Sequence, residues 1–215
     1  MQQFTALTSV AAPLPESDVD TDIIFPARFL LLLDRKGLGE HLFHERRHAQ
    51  NGADFVLNRQ PWNRAEILVA GSNFGCGSSR EHAVWALVDF GIRCVIARSF
   101  GEIFFANCFK NGTLPMVLDG DEHAAVMAEA QAGRAITVDL EAQTVELISG
   151  RSIVFEIEPH RKRALLLGLD EIGAILAEDE PLITQFEGRH WRDRPWLKLG
   201  REQHAHFADV PKEAV

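Results

Sequence analysis

The sequence predicts an α/β or α+β domain of three layers, followed by a helical C-terminal segment. Three observations lead to this prediction. Between residues 65 and 97, a strand pattern, a glycine-rich loop, a helical pattern and a second strand pattern follow one another. After residue 135 the chain changes to short alternating or β-branched segments separated by tight turns, which are typical of antiparallel strands. From Pro159 onward the apolar pattern is helical.

The first of these segments predicts a βαβ unit. Residues 65–70 form an apolar run that ends at Gly71, and residues 94–97 form a second apolar run. Between them, residues 81–90 place their apolar side chains on one side of a helix. Two strands joined through a helix pair in parallel, so the glycine-rich loop is expected at the carboxyl end of the first strand.

The other predicted elements follow in chain order. Helices are predicted at residues 100–110, 121–132, 160–167 and 169–177, and strands at residues 114–118, 135–140, 144–148 and 152–157. Residues 1–200 are predicted to form a single domain. Residues 201–215 are polar and show no period, which predicts a flexible tail.

Composition excludes several classes of protein. The net charge is -9, and an acidic chain is a poor partner for nucleic acid because binding to a phosphate backbone needs a basic surface. No stretch approaches the roughly 20 apolar residues of a membrane span. Residues 1–10 lack a signal-peptide pattern, so the chain is expected to be cytoplasmic. The 3 cysteines, at positions 76, 94 and 108, include no Cys-x-x-Cys pair and predict neither disulfides nor an iron–sulfur cluster.

The loop GSNFGCGSSREH, residues 71–82, carries the strongest chemical signal. Gly75 and Gly77 allow a tight turn and a close approach to a ligand. Ser78 or Ser79 would cap the following helix, whose free N–H groups favour an anion. Arg80 adds a planar fork that suits a carboxylate or phosphate. This predicts a small anionic ligand, although a purely structural turn, with a serine cap and a paired arginine, fits these residues equally well.

Three better-known loop motifs do not fit this segment. A dinucleotide fingerprint would need a third glycine where Arg80 stands, and a phosphate loop would need a lysine that is absent. A nucleophile elbow, Gly-x-Ser-x-Gly, does not match around either serine.

The loop instead resembles the swivel domain of the aconitase superfamily. FGCGSSREHA, residues 74–83, is similar to that domain's motif, and the following Trp-Ala-Leu resembles the isopropylmalate dehydratase branch. DVDTDIIFPARFL, residues 18–30, is similar to a second motif of the family, and further matches run in family order to residue 176. The resemblance implies an α/β fold, a three-layer β/β/α swivelling domain like the aconitase C-terminal domain. It also implies a role as the small subunit of a two-part hydro-lyase.

The resemblance also implies a reaction and its residues. The branch interconverts 2-isopropylmalate and 3-isopropylmalate by dehydration and rehydration in leucine biosynthesis, with a [4Fe-4S] cluster held by a large partner subunit. By resemblance, Ser78 is the catalytic base, and Ser79 and Arg80 hold a carboxylate of the hydroxy-dicarboxylate substrate. Asp20 and Thr21 are expected to face the same site, although Asp20 also suits a turn or a helix cap.

Substrate choice is expected to depend on the segment after Pro26, where the family reads the variable group of the substrate. Here it contains Phe29, Leu30, Leu31 and Leu32, and this apolar run favours an isopropyl group over a carboxylate. The same leucines would also suit a core or an interface. A sister hydro-lyase acting on citramalate, dimethylmalate or homoaconitate remains an alternative, as does a non-catalytic anion-binding module.

Two further features are given no direct chemical role. His41, His44 and His48 would share one face if their segment were helical, but the family match assigns them no metal and two arginines lie among them. Cys76 has no motif-linked base and is interpreted as a packing thiol. No metal site is therefore predicted on this chain.

Overall fold

A computed structural model describes residues 1–32 and 34–198. The described strands are β1 (Ala6–Leu14), β2 (Ile67–Ala70), β3 (Cys94–Ala97), β4 (Leu114–Val117), β5 (Ala135–Asp139), β6 (Thr144–Glu146) and β7 (Ser152–Val154). The described α-helices are α1 (Thr21–Ile24), α2 (His44–Arg47), α3 (His82–Phe90), α4 (Glu102–Lys110), α5 (Gly120–Gln131), α6 (Pro159–Leu167) and α7 (Glu171–Asp193). Short 3-10 turns connect the elements between residues 27 and 64.

All described strands belong to one sheet, in the order β4-β3-β2-β1-β5-β6-β7. The half from β4 to β1 is parallel, and the half from β1 to β7 is antiparallel. Strand β1 belongs to both halves. Its residues 11–14 pair in parallel with β2, while its residues 6–10 pair antiparallel with β5.

The sequence patterns did not predict this central strand. Thr8 and Ser9 interrupt the apolar run of β1, and an interrupted run is a weak strand signal. Both polar side chains are satisfied by distant parts of the chain. The Thr8 hydroxyl shares a hydrogen bond of 2.8 Å with that of Thr137, and the Glu66 N–H donates to Ser9 Oγ over 3.0 Å.

Two hydrophobic cores lie on opposite faces of the parallel half. Alternate residues of β2 point to opposite faces, so Leu68 enters one core and Ile67 the other. Helices α3 and α4 and the long loops cover the first face. Helix α5 and the inward side chains of the antiparallel strands, such as Val138 and Val145, fill the second core. The sheet therefore curls over itself, and the predicted α/β class is confirmed.

Predicted elements from residue 65 to 167 are all present, with ends within three residues of those predicted. The predicted helix at residues 169–177 is too short, because α7 continues through Pro181 to Asp193. The chain divides into two compact units, residues 1–171 and 172–215. The predicted tail at 201–215 lies outside the described residues, and the single domain over residues 1–200 stays a prediction. No helix of the described ranges has both the length and the apolarity to cross a bilayer.

Candidate active site

The two motifs that carry the family resemblance lie side by side. The Thr21 N–H donates to the Cys76 carbonyl over 2.9 Å, and the Gly75 N–H donates to the Val19 carbonyl over 2.8 Å. Asp18 and Ser72 are joined in the same way at 2.9 Å. The glycine-rich loop leaves the carboxyl end of β2, where ligands commonly bind in parallel sheets. The structure thus brings together two segments that are more than 50 residues apart in the sequence.

Positive φ angles and close packing fix the shape of the loop. Gly75 has φ +73° and Gly77 has φ +93°, a region that glycine enters without steric cost. The ring of Phe104 from α4 occupies the space where a Cβ of residue 75 would stand. Backbone hydrogen bonds also join the loop to residues 99–101, which follow β3. The Phe74 N–H donates to the Ser99 carbonyl over 3.0 Å, and the Gly101 N–H donates to the Phe74 carbonyl over 2.9 Å.

Replacing Gly75 by Ala is expected to destabilise the chain by roughly 2–4 kcal/mol, because the new methyl group overlaps the Phe104 ring and φ is positive. Gly150→Ala is a matched control, since φ there is +83° and no described atom lies within 4 Å of the added Cβ. That control is expected to cost only about 1 kcal/mol. Urea unfolding of both variants measures the difference, and equal losses would mean that the packing of Phe104 does not constrain the loop.

The two serines lie at the exposed turn of the loop, and neither caps a helix. Helix α3 begins at His82, its N-cap position is Glu81, and no side chain caps it. The prediction that Ser78 or Ser79 is the N-cap is therefore wrong. The Ser78 carbonyl instead closes a local turn by accepting the Arg80 N–H at 2.8 Å, and it also accepts the Thr21 hydroxyl, a tertiary contact, at 3.1 Å. This turn precedes the helix. The buried side chain of Thr21 thus stabilises the turn at Ser78.

Arg80 forms an ion pair with Asp22, a residue to which the sequence assigned no role in the site. Asp22 Oδ1 also accepts the N–H of Ala27, at 3.2 Å. One carboxylate therefore links the arginine to the start of the segment predicted to read the substrate. Asp20, which was the predicted site residue, instead caps α1 by accepting the Ile23 N–H at 2.7 Å. Nothing in the Asp-Thr-Asp pattern itself distinguishes the two aspartates, and a facing role for Asp20 stays a prediction.

The residues of the predicted substrate-reading segment occupy three different environments. Phe29 is half-buried, and its ring stacks on His41 with 4.0 Å between centroids. Leu30 packs against the first core. Leu31 is 89% exposed. Of these three side chains, Leu31 is the one presented to an external ligand or partner.

His41, His44 and His48 are neighbours, but they do not share one helix. His41 ends a 3-10 turn, while His44 begins α2 and His48 follows it. Their rings are 5.8 Å apart between His41 and His44, and 4.4 Å apart between His44 and His48. Across residues 1–32 and 34–198, no group of three His, Cys, Asp or Glu side chains is arranged to hold a metal ion.

The thiols of this chain do not fit an iron–sulfur cluster. Cys94 and Cys108 are completely buried, in β3 and α4, and burial raises the pKa of both. Cys76 is half-buried, and burial, followed by the charges of Asp20 and Asp18, raises its pKa. Cluster ligands are thiolates, and these environments favour the neutral thiol.

Comparisons with known proteins agree with this geometry. The family model of the aconitase C-terminal domain matches residues 1–121, and that of LeuD_N matches residues 124–159. The 3-isopropylmalate dehydratase small subunit of Rhodospirillum rubrum is 50% identical over 206 residues, 94% of this chain and 99% of that protein. Its counterpart in Rhodospirillum centenum is 53% identical over 201 residues, 91% of this chain and 98% of that protein. The chain belongs to the 3-isopropylmalate dehydratase small-subunit family.

A solved structure places the fold in the same family. The 3-isopropylmalate dehydratase LeuD of Methanocaldococcus jannaschii superposes with a TM-score of 0.63 at 29% identity, covering 85% of this chain and 99% of that one. The resemblance inferred from the two motifs and the aconitase-like fold are both confirmed. In this 3-isopropylmalate dehydratase small subunit, the exposed residues Ser78 and Ser79 lie on the same short turn as the guanidinium of Arg80. This arrangement suits a carboxylate held beside a proton acceptor.

Proposed function

We propose that this chain is the cytoplasmic small subunit of a 3-isopropylmalate dehydratase, which interconverts 2-isopropylmalate and 3-isopropylmalate in leucine biosynthesis. Family membership supports the reaction class. The observation that carries the proposal is the pairing of the Gly-Ser-Ser-Arg loop with the Asp-Thr-Asp motif through Thr21, whose backbone and hydroxyl both bond the loop.

Ser78 is proposed as the base that removes the proton next to a substrate carboxylate. A neutral alcohol is a very weak base, so Ser78 must give up its own proton before it takes one from the substrate, and the resulting alkoxide needs nearby positive charge. Arg80, two residues away in the sequence, is proposed to supply that charge. Among the described residues, the bonds that shape the turn are made by the backbone carbonyl of Ser78, which leaves its hydroxyl available for this role.

Ser79 and Arg80 are proposed to bind the substrate carboxylate. A guanidinium has five N–H donors in a fixed plane, and Asp22 engages one end of it through Nη1. The remaining donors stay available for a second carboxylate. Asp22 therefore holds the plane of the guanidinium before substrate arrives, which reduces the entropy lost on binding.

The second half of the site is proposed to come from a large partner subunit carrying a [4Fe-4S] cluster. When bound there, the cluster supplies the Lewis acid that assists the departing hydroxide. The residues of this chain bind the carboxylate, hold the proton at Ser78 Oγ and border the alkyl group. Leu31, which is 89% exposed against 40% for Leu32, is the residue proposed to contact that alkyl group.

A substrate panel tests the proposed specificity. The chain, combined with a cluster-loaded large subunit, is expected to show its highest kcat/KM with 3-isopropylmalate. Citramalate, dimethylmalate and homoaconitate are the comparison substrates. A higher kcat/KM with any of these would identify a sister hydro-lyase. Binding of malates without turnover, in a complex whose cluster is intact, would instead identify a non-catalytic anion-binding module.

Replacing Asp22 by Asn is expected to raise KM for 3-isopropylmalate about tenfold with a smaller change in kcat, because the guanidinium loses its anchor. Glu16→Gln is the matched control. It removes the carboxylate that pairs with Arg46. The side chains of Glu16 and Arg46 are 52% and 25% exposed, and those of Asp22 and Arg80 are 51% and 21% exposed. Steady-state kinetics decide the question. A fall in KM would mean that Asp22 competes with substrate instead of positioning the arginine.

A further inference from the structure

The ring of Phe29 lies among three basic side chains. The imidazole of His41 stacks on it nearly parallel, with centroids 4.0 Å apart and an interplanar angle of 15°. The ring of His44 contacts it at 4.9 Å and a steeper angle, and the guanidinium of Arg28 lies 4.5 Å from its centroid. Phe29 opens the substrate-reading segment, so its position affects the residues that follow it.

The segment behind this ring is short and hydrogen-bonded. The Leu30 N–H donates to the Ala27 carbonyl over 3.1 Å, and the Leu32 N–H donates to the Phe29 carbonyl over 3.0 Å. The backbone of Phe29 therefore lies inside a tight turn that ends at the exposed Leu31. Movement of the ring would be transmitted directly to Leu31.

The geometry favours uncharged imidazoles in this cluster. Nδ1 of His41 and Nδ1 of His44 are both buried, and neither has a hydrogen-bond partner within the described chain. A protonated ring would carry an N–H at that position with nothing to accept it, which is costly for a buried donor. Burial, and next the neighbouring His48, lower the pKa of His44. The charged or titratable groups around the cluster are Arg28, Asp34, Lys36, Glu45, His48 and His82.

We propose that His41 and His44 are positioning residues: their neutral rings hold Phe29, and through it Leu31, in the conformation that recognises the alkyl group of the substrate. The expected effect on substrate recognition rests on the proposed function, whereas the expected effect on the order of residues 27–32 does not. It also gives a role to the histidines that the sequence left without one.

The direction of the pH effect follows from the neutral rings. Because the pKa of His44 is lowered in the folded chain, its contribution to the order of the segment is complete above the ordinary histidine pKa of about 6.5. The contribution is lost as the pH falls through the lower folded value of His44, where the protonated ring of His44 is repelled by Arg28. The affinity for the alkyl substrate is therefore expected to weaken on the acid side.

Amide hydrogen exchange of the chain alone tests the positioning role without any catalysis. His41→Asn removes the stacking ring and is expected to speed exchange in residues 27–32 about threefold to tenfold. His41→Phe keeps an aromatic ring and is expected to restore slow exchange. His160→Asn, at a side chain that is 76% exposed on α6, serves as the control. Unchanged exchange in His41→Asn would overturn the inference.

Kinetics of the chain with its large subunit test the consequence for the substrate. His41→Asn is expected to raise KM for 3-isopropylmalate about threefold to tenfold with kcat preserved, and His41→Phe to return KM towards the wild-type value. In the wild type, KM is expected to rise as the pH falls below the ordinary histidine pKa of about 6.5, and His44→Phe is expected to flatten that rise. A loss of kcat with constant KM would contradict the inference. Absent wild-type turnover would refute the proposed function, while the exchange experiment would still decide the role of His41.

Discussion

Replacing Ser78 by Ala is expected to lower kcat about a hundredfold to ten-thousandfold, the range contributed by a positioned base. The loss is expected to be specific to chemistry. The contacts of residue 78 with Thr21 and Arg80 are made by its backbone, so Ala is expected to preserve the loop. Steady-state kinetics with the large subunit in excess measure the effect.

The control for this prediction is Ser149→Ala, which removes an exposed hydroxyl from the turn before β7 and is expected to leave kcat unchanged. Sedimentation of each variant with the large subunit shows that assembly is retained. Near-normal turnover of Ser78→Ala in an intact complex would remove Ser78 from the role of base and leave Ser79 as the next candidate.

Replacing Arg80 by Lys is expected to raise KM about tenfold to a hundredfold, the second-largest effect. A lysine ammonium keeps the charge, but it lacks the planar fork that pairs with Asp22 and is proposed to bind a substrate carboxylate as well. Arg46→Lys is the matched control, because it alters an arginine–carboxylate pair of similar exposure that contains no residue of the proposed site. If KM stayed constant while kcat fell, Arg80 would act on the developing charge and not on substrate binding.

The central βαβ unit could be predicted because its information is local. Apolar runs on both sides of the glycine-rich loop give β2 and β3, and the apolar side chains of residues 83–88 give α3. Strand β1 could not be predicted in this way. Its Thr8 and Ser9 are satisfied by Thr137 and by the backbone of Glu66, partners that a local pattern does not reveal.

The difference between local sequence patterns and contacts with distant residues also explains which features of the candidate site were not predicted. The family resemblance implied that the two motifs face one site, and the glycines predicted a tight turn in the loop. They did not predict that Thr21 would hold the carbonyl of Ser78 in a turn that precedes α3. They also did not show that Asp22 would reach Arg80. Both of these outcomes depend on contacts between the two segments. The cap that Asp20 forms on α1 is local, and it was the alternative role predicted for that residue.

The most direct test of the account is a titration of this chain into a fixed amount of cluster-loaded large subunit without oxygen. Formation of the unsaturated intermediate from 3-isopropylmalate is followed by ultraviolet absorbance. The account predicts that turnover is absent with either chain alone, rises with added chain and saturates at a fixed stoichiometric ratio. Equal turnover by the large subunit alone, or none in a complex whose cluster is intact, would contradict the claim that this chain supplies half of the active site.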